Sequence, residues 1–358
     1  VDEGYLPALI DLALLKGLGP QGASLYPIRR GGNAQGALDM GVHPRLLPGH
    51  QSIEDPTVRE RMEKLWGAKL PSEPGRDTRQ ILSGAAAGEI VGLYILGADP
   101  LAHYPDRGLV EEALSKVELL IVQELFLTET ATRAQVVLPA AAFAEKGGTF
   151  TNLERRVQRI WPATPPRGQA KTDAEILSAL AVAMGHRFEH PTAEAIWEEL
   201  RRVAPVYAGM TYARLGEVGL QWPCPAPDHP GSEHLPADWL PDEWVPLPEP
   251  ELTALREGEF HLVVGPWLFD GGNMVSRTQL LRYLVPEPRL HLHPQDAQRL
   301  GIREGQLVRI WADGRALELP AHIAHTIQPG AVFAYGNLPG AALNQLGTRR
   351  VYIEVGAG

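Results

Sequence analysis

From Ile90 to Gln123 the chain alternates strand-like and helix-like stretches, and this pattern constrains its fold more than any other. Ile90-Val-Gly-Leu-Tyr-Ile-Leu96 reads as a buried strand and Gly97-Ala-Asp-Pro100 as a turn. Leu109 to Lys116 has helical spacing, and Val117 to Gln123 is a second strand. Two strands joined through a helix run parallel with a right-handed crossover. The expected class is therefore α/β with a doubly wound, mostly parallel sheet. Ligands of such sheets sit off the carboxyl ends of the strands, here near Gly97–Pro100 and Glu124–Thr130.

A third short strand is expected at Val136-Val-Leu138, followed by a structured loop over Glu145–Asn152 in which Gly147 and Gly148 supply positive φ. Asp173 is placed to cap a helix over 174–184 ended by Gly185, and Thr192 to open a second over 192–200. Nine prolines fall between Pro223 and Pro250, and nine acidic residues face the single Arg256 between Asp228 and Glu259. Such a stretch resists both helix and central strand, so it reads as a linker. Beyond it, strands at 260–265, 289–293, 306–311 and 331–335, with one helix at 294–300 ended by Gly301, predict a small β-rich domain, a barrel. The expected partition is 1–222 for the α/β domain, 223–259 for the linker and 260–358 for the barrel.

Composition narrows the function. Thirty-three Lys and Arg against forty-three Asp and Glu leave a net charge of −10, which repels phosphate backbones, so nucleic acid is not an expected partner. Apolar runs such as Ile90–Leu96 fall far short of the roughly 20 residues a bilayer span needs, so no membrane span is expected. The single cysteine, Cys224, excludes an internal disulfide and any cluster or zinc site built from cysteines of this chain. It is expected to be an inert thiol of the linker. The opening Val1-Asp2-Glu3 reads as a processing boundary with sequence missing upstream.

No dinucleotide fingerprint, phosphate-binding loop, zinc-protease motif or nucleophile elbow occurs in its required context. His291 and His293 share one strand face, with His322 and His325 nearby in sequence. No ligating Cys or paired carboxylate accompanies them, so packing is favoured over a metal site. Arg29-Arg30 before Gly31-Gly32-Asn33-Ala-Gln35-Gly36 could form an anion-binding loop or an exposed turn. Glu154-Arg155-Arg156 reads as a solvated or ion-paired surface cluster.

Taken together, several segments resemble one family. Arg29-Arg-Gly-Gly-Asn33-Ala-Gln-Gly-Ala-Leu-Asp39-Met-Gly41, followed by Pro44-Arg-Leu-Leu-Pro-Gly49, resembles the R-G-x-N-N-x-Q-G-x-x-D-M-G segment of formate dehydrogenases in the molybdopterin oxidoreductase superfamily. Glu63-Lys-Leu-Trp-Gly67, Leu93–Pro100, Phe126–Ala131 with Val136–Pro139, Ala144–Asn152 and Glu154–Gln158 follow in the family's order. His293–Gly305 and Pro329–Phe333 look like its closing pterin-dinucleotide-binding barrel. The resemblance covers about the last half of a family member and implies a small six-stranded double-psi β-barrel after the doubly wound domain. Its pterin-pocket positions are matched by Arg29, Asn33, Gln35, Asp99, Thr128 and Asn273.

The family holds both catalytic formate dehydrogenases and the large iron–sulfur subunit of bacterial respiratory complex I, in which the module is thought to carry no molybdenum. The chain departs from the enzymes at four places. Arg30, Gly31 and Gly32 stand where they carry Gly-Gln-Asn. Trp267-Leu-Phe-Asp-Gly-Gly-Asn-Met274 replaces a Tyr and His run, Gly336–Gln345 replaces a polar turn, and Gln135 replaces an Asp. Each lost hydrogen bond to a buried or charged ligand group costs about 1–3 kcal/mol. The resemblance thus implies the complex I branch. It carries with it a scaffold segment with no catalytic or metal-ligating residue and a vestigial pterin pocket without molybdopterin. Iron–sulfur clusters would lie on a missing amino-terminal portion, the partners would be peripheral-arm subunits, and the location would be peripheral, on the cytoplasmic face of the plasma membrane. In a closed pocket Phe269, Met274 or Leu338 would intrude and Arg29 would pair with a carboxylate. The alternative implied is a formate dehydrogenase fragment in which Arg29 orients a carboxylate.

Overall fold

The computed structural model describes residues 5–17, 26, 28–29, 31–186, 188, 192–235, 254–269, 272 and 274–356. The chain divides into two compact units, each assembled from two stretches: Val1–Asp77 with Ala140–Glu251, and Thr78–Pro139 with Leu252–Gly358. This division differs from the partition expected at 222 and 259, because the parallel strands group with the barrel.

The first stretch holds helix α1 (Tyr5–Leu15), the short α2 (Ala34–Asp39), the strand pair β1 (Leu46–Leu47) and β2 (Gln51–Ser52), and α3 (Pro56–Trp66). Sequence dictates the ends of α3. The Asp55 side chain accepts from Thr57 and Val58 N–H groups, Pro56 opens the first turn and Gly67 closes the helix at φ 64°. The second stretch holds α4 (Thr78–Ala86), β3 (Gly92–Leu96), α5 (Pro100–His103), α6 (Arg107–Lys116), β4 (Leu119–Glu124) and β5 (Val136–Pro139). Strands β3, β4 and β5 pair in parallel in that order, as the alternation of strand and helix required. On one face Leu93, Ile95, Leu120 and Val122 pack with Leu82 and Ala85 of α4 and Val110 and Ala113 of α6.

The third stretch begins with antiparallel β6 (Gly148–Thr151) and β7 (Arg156–Ile160). Helices α7 (Asp173–Ala183), α8 (Ala193–Val203) and α9 (Tyr212–Leu215) follow, and β8 (Leu220–Gln221) pairs with β7. Three expectations are corrected here. The loop over 145–152 contains strand β6, because Gly148–Thr151 find ladder partners in Val157–Ile160. Gly147 and Gly148 have no positive φ; extended backbone suffices. Thr172, not Asp173, caps α7, its hydroxyl accepting from Glu175 N while Glu175 reaches back to it.

The start of the expected linker is also core. Cys224 and Trp222 are buried among Trp197, Tyr207, Met210 and Leu215. Backbone bonds join Cys224 N to Val206 O and Gly209 N to Cys224 O, both at 2.8 Å. Gly209 is obligatory: a Cβ there would lie 1.9 Å from Ala226 O. The central part of the linker, residues 236–253, lies outside the described residues.

The last stretch forms a closed barrel in the order β10-β12-β11-β14-β9-β13. Its strands are β9 (Glu259–Gly265), β10 (Leu290–Leu292), β11 (Leu307–Ala312), β12 (Arg315–Ile323), β13 (Ala331–Tyr335) and β14 (Arg350–Val355), with helix α10 (Pro294–Leu300) after β10. Alternation fills its interior with Phe260, Leu262, Leu290, Leu292, Val308, Ile310, Leu319, Val332 and Val351. The fold is that anticipated: an α/β part with a parallel sheet, then a small double-psi β-barrel.

Candidate functional site

In the first unit the glycine-rich motif folds into α2, and its polar residues turn inward. Asn33 Oδ1 accepts from Thr151 N at 2.8 Å. Gly36 makes room for that amide, since a Cβ there would lie 2.2 Å from Asn33 Oδ1. Gln35 Nε2 donates to Asp39 Oδ1 at 2.7 Å. Asp39 is fully buried and takes two further bonds, from His50 Nε2 at 2.6 Å and Trp222 Nε1 at 2.8 Å. A buried carboxylate without such donors would be costly; three donors satisfy it. His50 must carry its proton on Nε2, because the carboxylate can only accept.

Two non-glycine residues in left-handed backbone flank the same indole. His50 (φ 60°) has its ring 5.2 Å from Trp222, and the Arg155 guanidinium (φ 62°) lies 5.4 Å over it. Arg155 also donates to Trp222 O at 3.1 Å and Ser232 O at 3.2 Å, so it is an internal clamp, not the surface charge expected. Burial holds its pKa below the ordinary arginine value. Tyr207, buried beside Asp39, has its phenol pushed well above its usual range, first by burial and then by the Asp39 charge. Its hydroxyl has no hydrogen-bond partner among the described residues. Cys224 Sγ lies 3.6 Å from Arg214 Nη1 and 3.2 Å from His229 O, neighbours the sequence did not place. Arg29 is exposed and makes no hydrogen bond or ion pair among the described residues.

In the second unit the expected ligand region lies at the carboxyl ends of β3 and β4. Asp99, buried, accepts from Thr130 N at 3.2 Å and from the Thr130 hydroxyl at 2.5 Å, and Thr130 Oγ1 accepts from Leu101 N. Thr128 is buried, and its hydroxyl oxygen accepts from Ala131 N at 3.2 Å. Beside them Arg107 grips Glu129 through both terminal nitrogens and Glu111 through Nε at 2.9 Å. Arg107 holds the Glu129 carboxyl below its usual range. Asn344 ties the barrel to this region, its amide donating to Leu101 O at 3.0 Å and Tyr104 O at 2.9 Å.

On the barrel exterior, His291 packs edge-on against His322 at 4.8 Å and Phe333 at 5.5 Å. His322 Nδ1 lies 3.0 Å from Glu304 Oε1, and Ile323 N donates to the other oxygen at 2.7 Å. Burial, then His322, lowers the His291 pKa; the Ile323 amide, then His322, lowers that of Glu304. His293 and His325 form a separate pair 5.7 Å apart. Among the described residues no three His, Cys, Asp or Glu side chains are grouped to hold a metal ion. Of the residues expected to close a pocket, Leu338 is buried and Met274 half exposed.

The chain's sequence agrees with this architecture. Residues 9–183 match the family model described as "Molybdopterin oxidoreductase" and residues 260–352 that described as "Molydopterin dinucleotide binding domain". The chain thus carries a molybdopterin oxidoreductase domain followed by a pterin-dinucleotide-binding domain. It is 38% identical over 338 residues, 91% of the chain and 50% of the relative, to the F420-dependent formate dehydrogenase subunit alpha of Methanocaldococcus jannaschii. It is 34% identical over 342 residues, 95% of the chain and 38% of the relative, to an NADH-quinone oxidoreductase subunit of Rhizobium meliloti. Among solved structures, acetylene hydratase from Pelobacter acetylenicus shares the fold with a TM-score of 0.54 at 18% identity, over 84% of this chain and 50% of that one. The chain spans about half the length of the first curated relatives it matches.

A pterin dinucleotide needs polar groups that the protein leaves available. The Asn33 oxygen, the Gln35 amide, the Asp99 carboxylate and the Thr128 hydroxyl are each engaged within the protein. Asn273 lies outside the described residues. Of the five matched positions among the described residues, Arg29 is the one whose side chain makes no hydrogen bond there.

Proposed function

We propose that this chain is a scaffold segment of the large subunit of an NADH-quinone oxidoreductase, with a vestigial pterin pocket. The observation that carries the reading is the inward turn of Asn33, Gln35, Asp99 and Thr128, whose polar atoms stabilise α2 and the β3 and β4 loops. The likeness to the Rhizobium meliloti NADH-quinone oxidoreductase chain over 95% of this one supports it. In this reading electrons pass through iron–sulfur clusters on polypeptide beyond these residues. The partners are peripheral-arm subunits, and the assembly sits on the cytoplasmic face of the membrane.

A second reading, a formate dehydrogenase alpha subunit, is favoured by the exposed Arg29, whose guanidinium makes no bond among the described residues and suits a small carboxylate, and by the 38% identical relative. Elemental analysis of the full-length subunit, with a formate assay using a dye acceptor, separates the two. The scaffold reading expects iron, no stoichiometric molybdenum or tungsten and no formate oxidation. Near-stoichiometric metal with formate turnover lost in Arg29→Ala overturns it.

A further inference from the structure

Five aromatic rings of the first unit form a chain from Trp222 to the surface. Between ring centroids, Tyr207 stands 6.1 Å from Trp222, Trp197 5.5 Å from Tyr207 and Tyr212 6.4 Å from Trp197. All four are buried. Beyond them the Arg159 guanidinium faces the rings of both Tyr212, at 4.4 Å, and Trp161, at 4.9 Å, and Trp161 is 53% exposed. Aromatic rings at such separations are in contact, and rings in contact exchange electrons readily.

The inner end of the chain is equipped to lose a proton. Trp222 Nε1 donates to Asp39 Oδ2 at 2.8 Å, while Gln35 and His50 hold the other carboxylate oxygen. An indole that gives up one electron becomes strongly acidic at this N–H. The Arg155 guanidinium, 5.4 Å over the same ring, opposes a positive charge there, so the oxidised ring sheds the proton, and Asp39 is already bonded to receive it. Tyr207 differs: its hydroxyl has no hydrogen-bond partner among the described residues, so the phenol passes an electron on without keeping the oxidising equivalent. Packing accounts for the ring contacts, but not for a carboxylate on the N–H at one end and solvent at the other.

We propose that Trp222 is a redox-active side chain, oxidised by one electron through Tyr207, Trp197, Tyr212 and Trp161. A one-electron oxidant outside the protein takes an electron from Trp161. Each ring in turn is refilled by the next one inward, so the electron finally lost is that of Trp222, and the Trp222 Nε1 proton crosses to Asp39 Oδ2. The product is a neutral indole radical beside a protonated carboxyl; one electron returned along the same path, with the proton moving back, restores both. The bonds from Gln35 and His50 are to Oδ1 and survive the transfer. The inference stands under either reading of the function.

The test oxidises the full-length subunit with photogenerated tris(bipyridyl)ruthenium(III) and follows the radical by electron paramagnetic resonance, with ring-deuterated tryptophan to mark indole signals. A long-lived neutral indole radical is expected in the wild type. Its yield should fall severalfold in Tyr207→Phe, which keeps the ring and breaks the relay, and in Trp161→Phe, which removes the outlet. Trp222→Phe should abolish it, whereas Trp267→Phe, in the other unit, should leave it unchanged. An undiminished radical in folded Tyr207→Phe or Trp161→Phe overturns the path. No long-lived indole radical in the wild type, or one that persists in Trp222→Phe, overturns the assignment to Trp222, and a cation radical in its place overturns proton transfer to Asp39.

Discussion

Trp222 Nε1 donates to Asp39 Oδ2 at 2.8 Å across 183 residues of sequence. The bond joins the glycine-rich motif to the segment after β8, and both partners are buried. Trp222→Phe removes the donor and leaves a smaller ring in the core. It should cost more than the roughly 1.5–3 kcal/mol of a bond to a charged group, because the cavity adds to the loss, measured by urea unfolding. In a double-mutant cycle with Asp39→Asn the two losses should be less than additive; additive losses would show the bond to be energetically silent.

Gly36→Ala forces a Cβ against Asn33 Oδ1 and frees the Thr151 amide. A loss of about 1–3 kcal/mol is expected, the cost of orphaning a buried donor. Gly148→Ala, whose Cβ would meet nothing within 4 Å, should stay within about 0.5 kcal/mol. Equal melting temperatures for the two variants would contradict the placement of α2 against β6.

Asn344→Ala removes the donor to Leu101 O and Tyr104 O. A loss of about 1–3 kcal/mol is expected. It should appear as faster amide exchange around α5, with the barrel interior unaffected.

The barrel should weaken in mild acid. His291 has a pKa below 6.5 in the folded state; the unfolded chain therefore binds its proton first, and stability falls as pH drops below that value. His322, Arg289 and Glu304 are the charges it faces. Glu304 is held below 4.5, so its contribution is present above that value and is lost as pH falls further. Thermal melts from about pH 7.5 to 5.5 should show a decline that His291→Gln flattens. An identical slope in that variant would remove His291 as its source.

Much of this fold is legible in the sequence. Strand β13 over 331–335 and helix α10 with its Gly301 stop follow from alternation and capping alone. Strand β14 is not among the strands expected from sequence, although Arg350, Tyr352 and Glu354 alternate with buried Val351 and Ile353. Strand β12 is harder, because Pro320 together with Ala316, Glu318 and Ala321 weakens its propensity, and only pairing with β11 and β10 decides it. The candidate site is legible as a motif but not as a role. Sequence marks Asn33 and Gln35; that they serve Thr151 and Asp39 depends on where distant backbone arrives. Arg155 and Cys224 escape a sequence reading for the same reason, since local charge and proline content say nothing of the partners that bury them.

The interleaved division has a consequence for synthesis. Asp39 leaves the ribosome long before Trp222, and the whole stretch from Thr78 to Pro139 is made in between. The first unit must wait through that interval with its carboxylate still in water, while the caps of α3 lie within its own sequence. A nascent chain arrested before Trp222 should then be protease-sensitive around α2, and one arrested once the segment to Leu235 has emerged should resist.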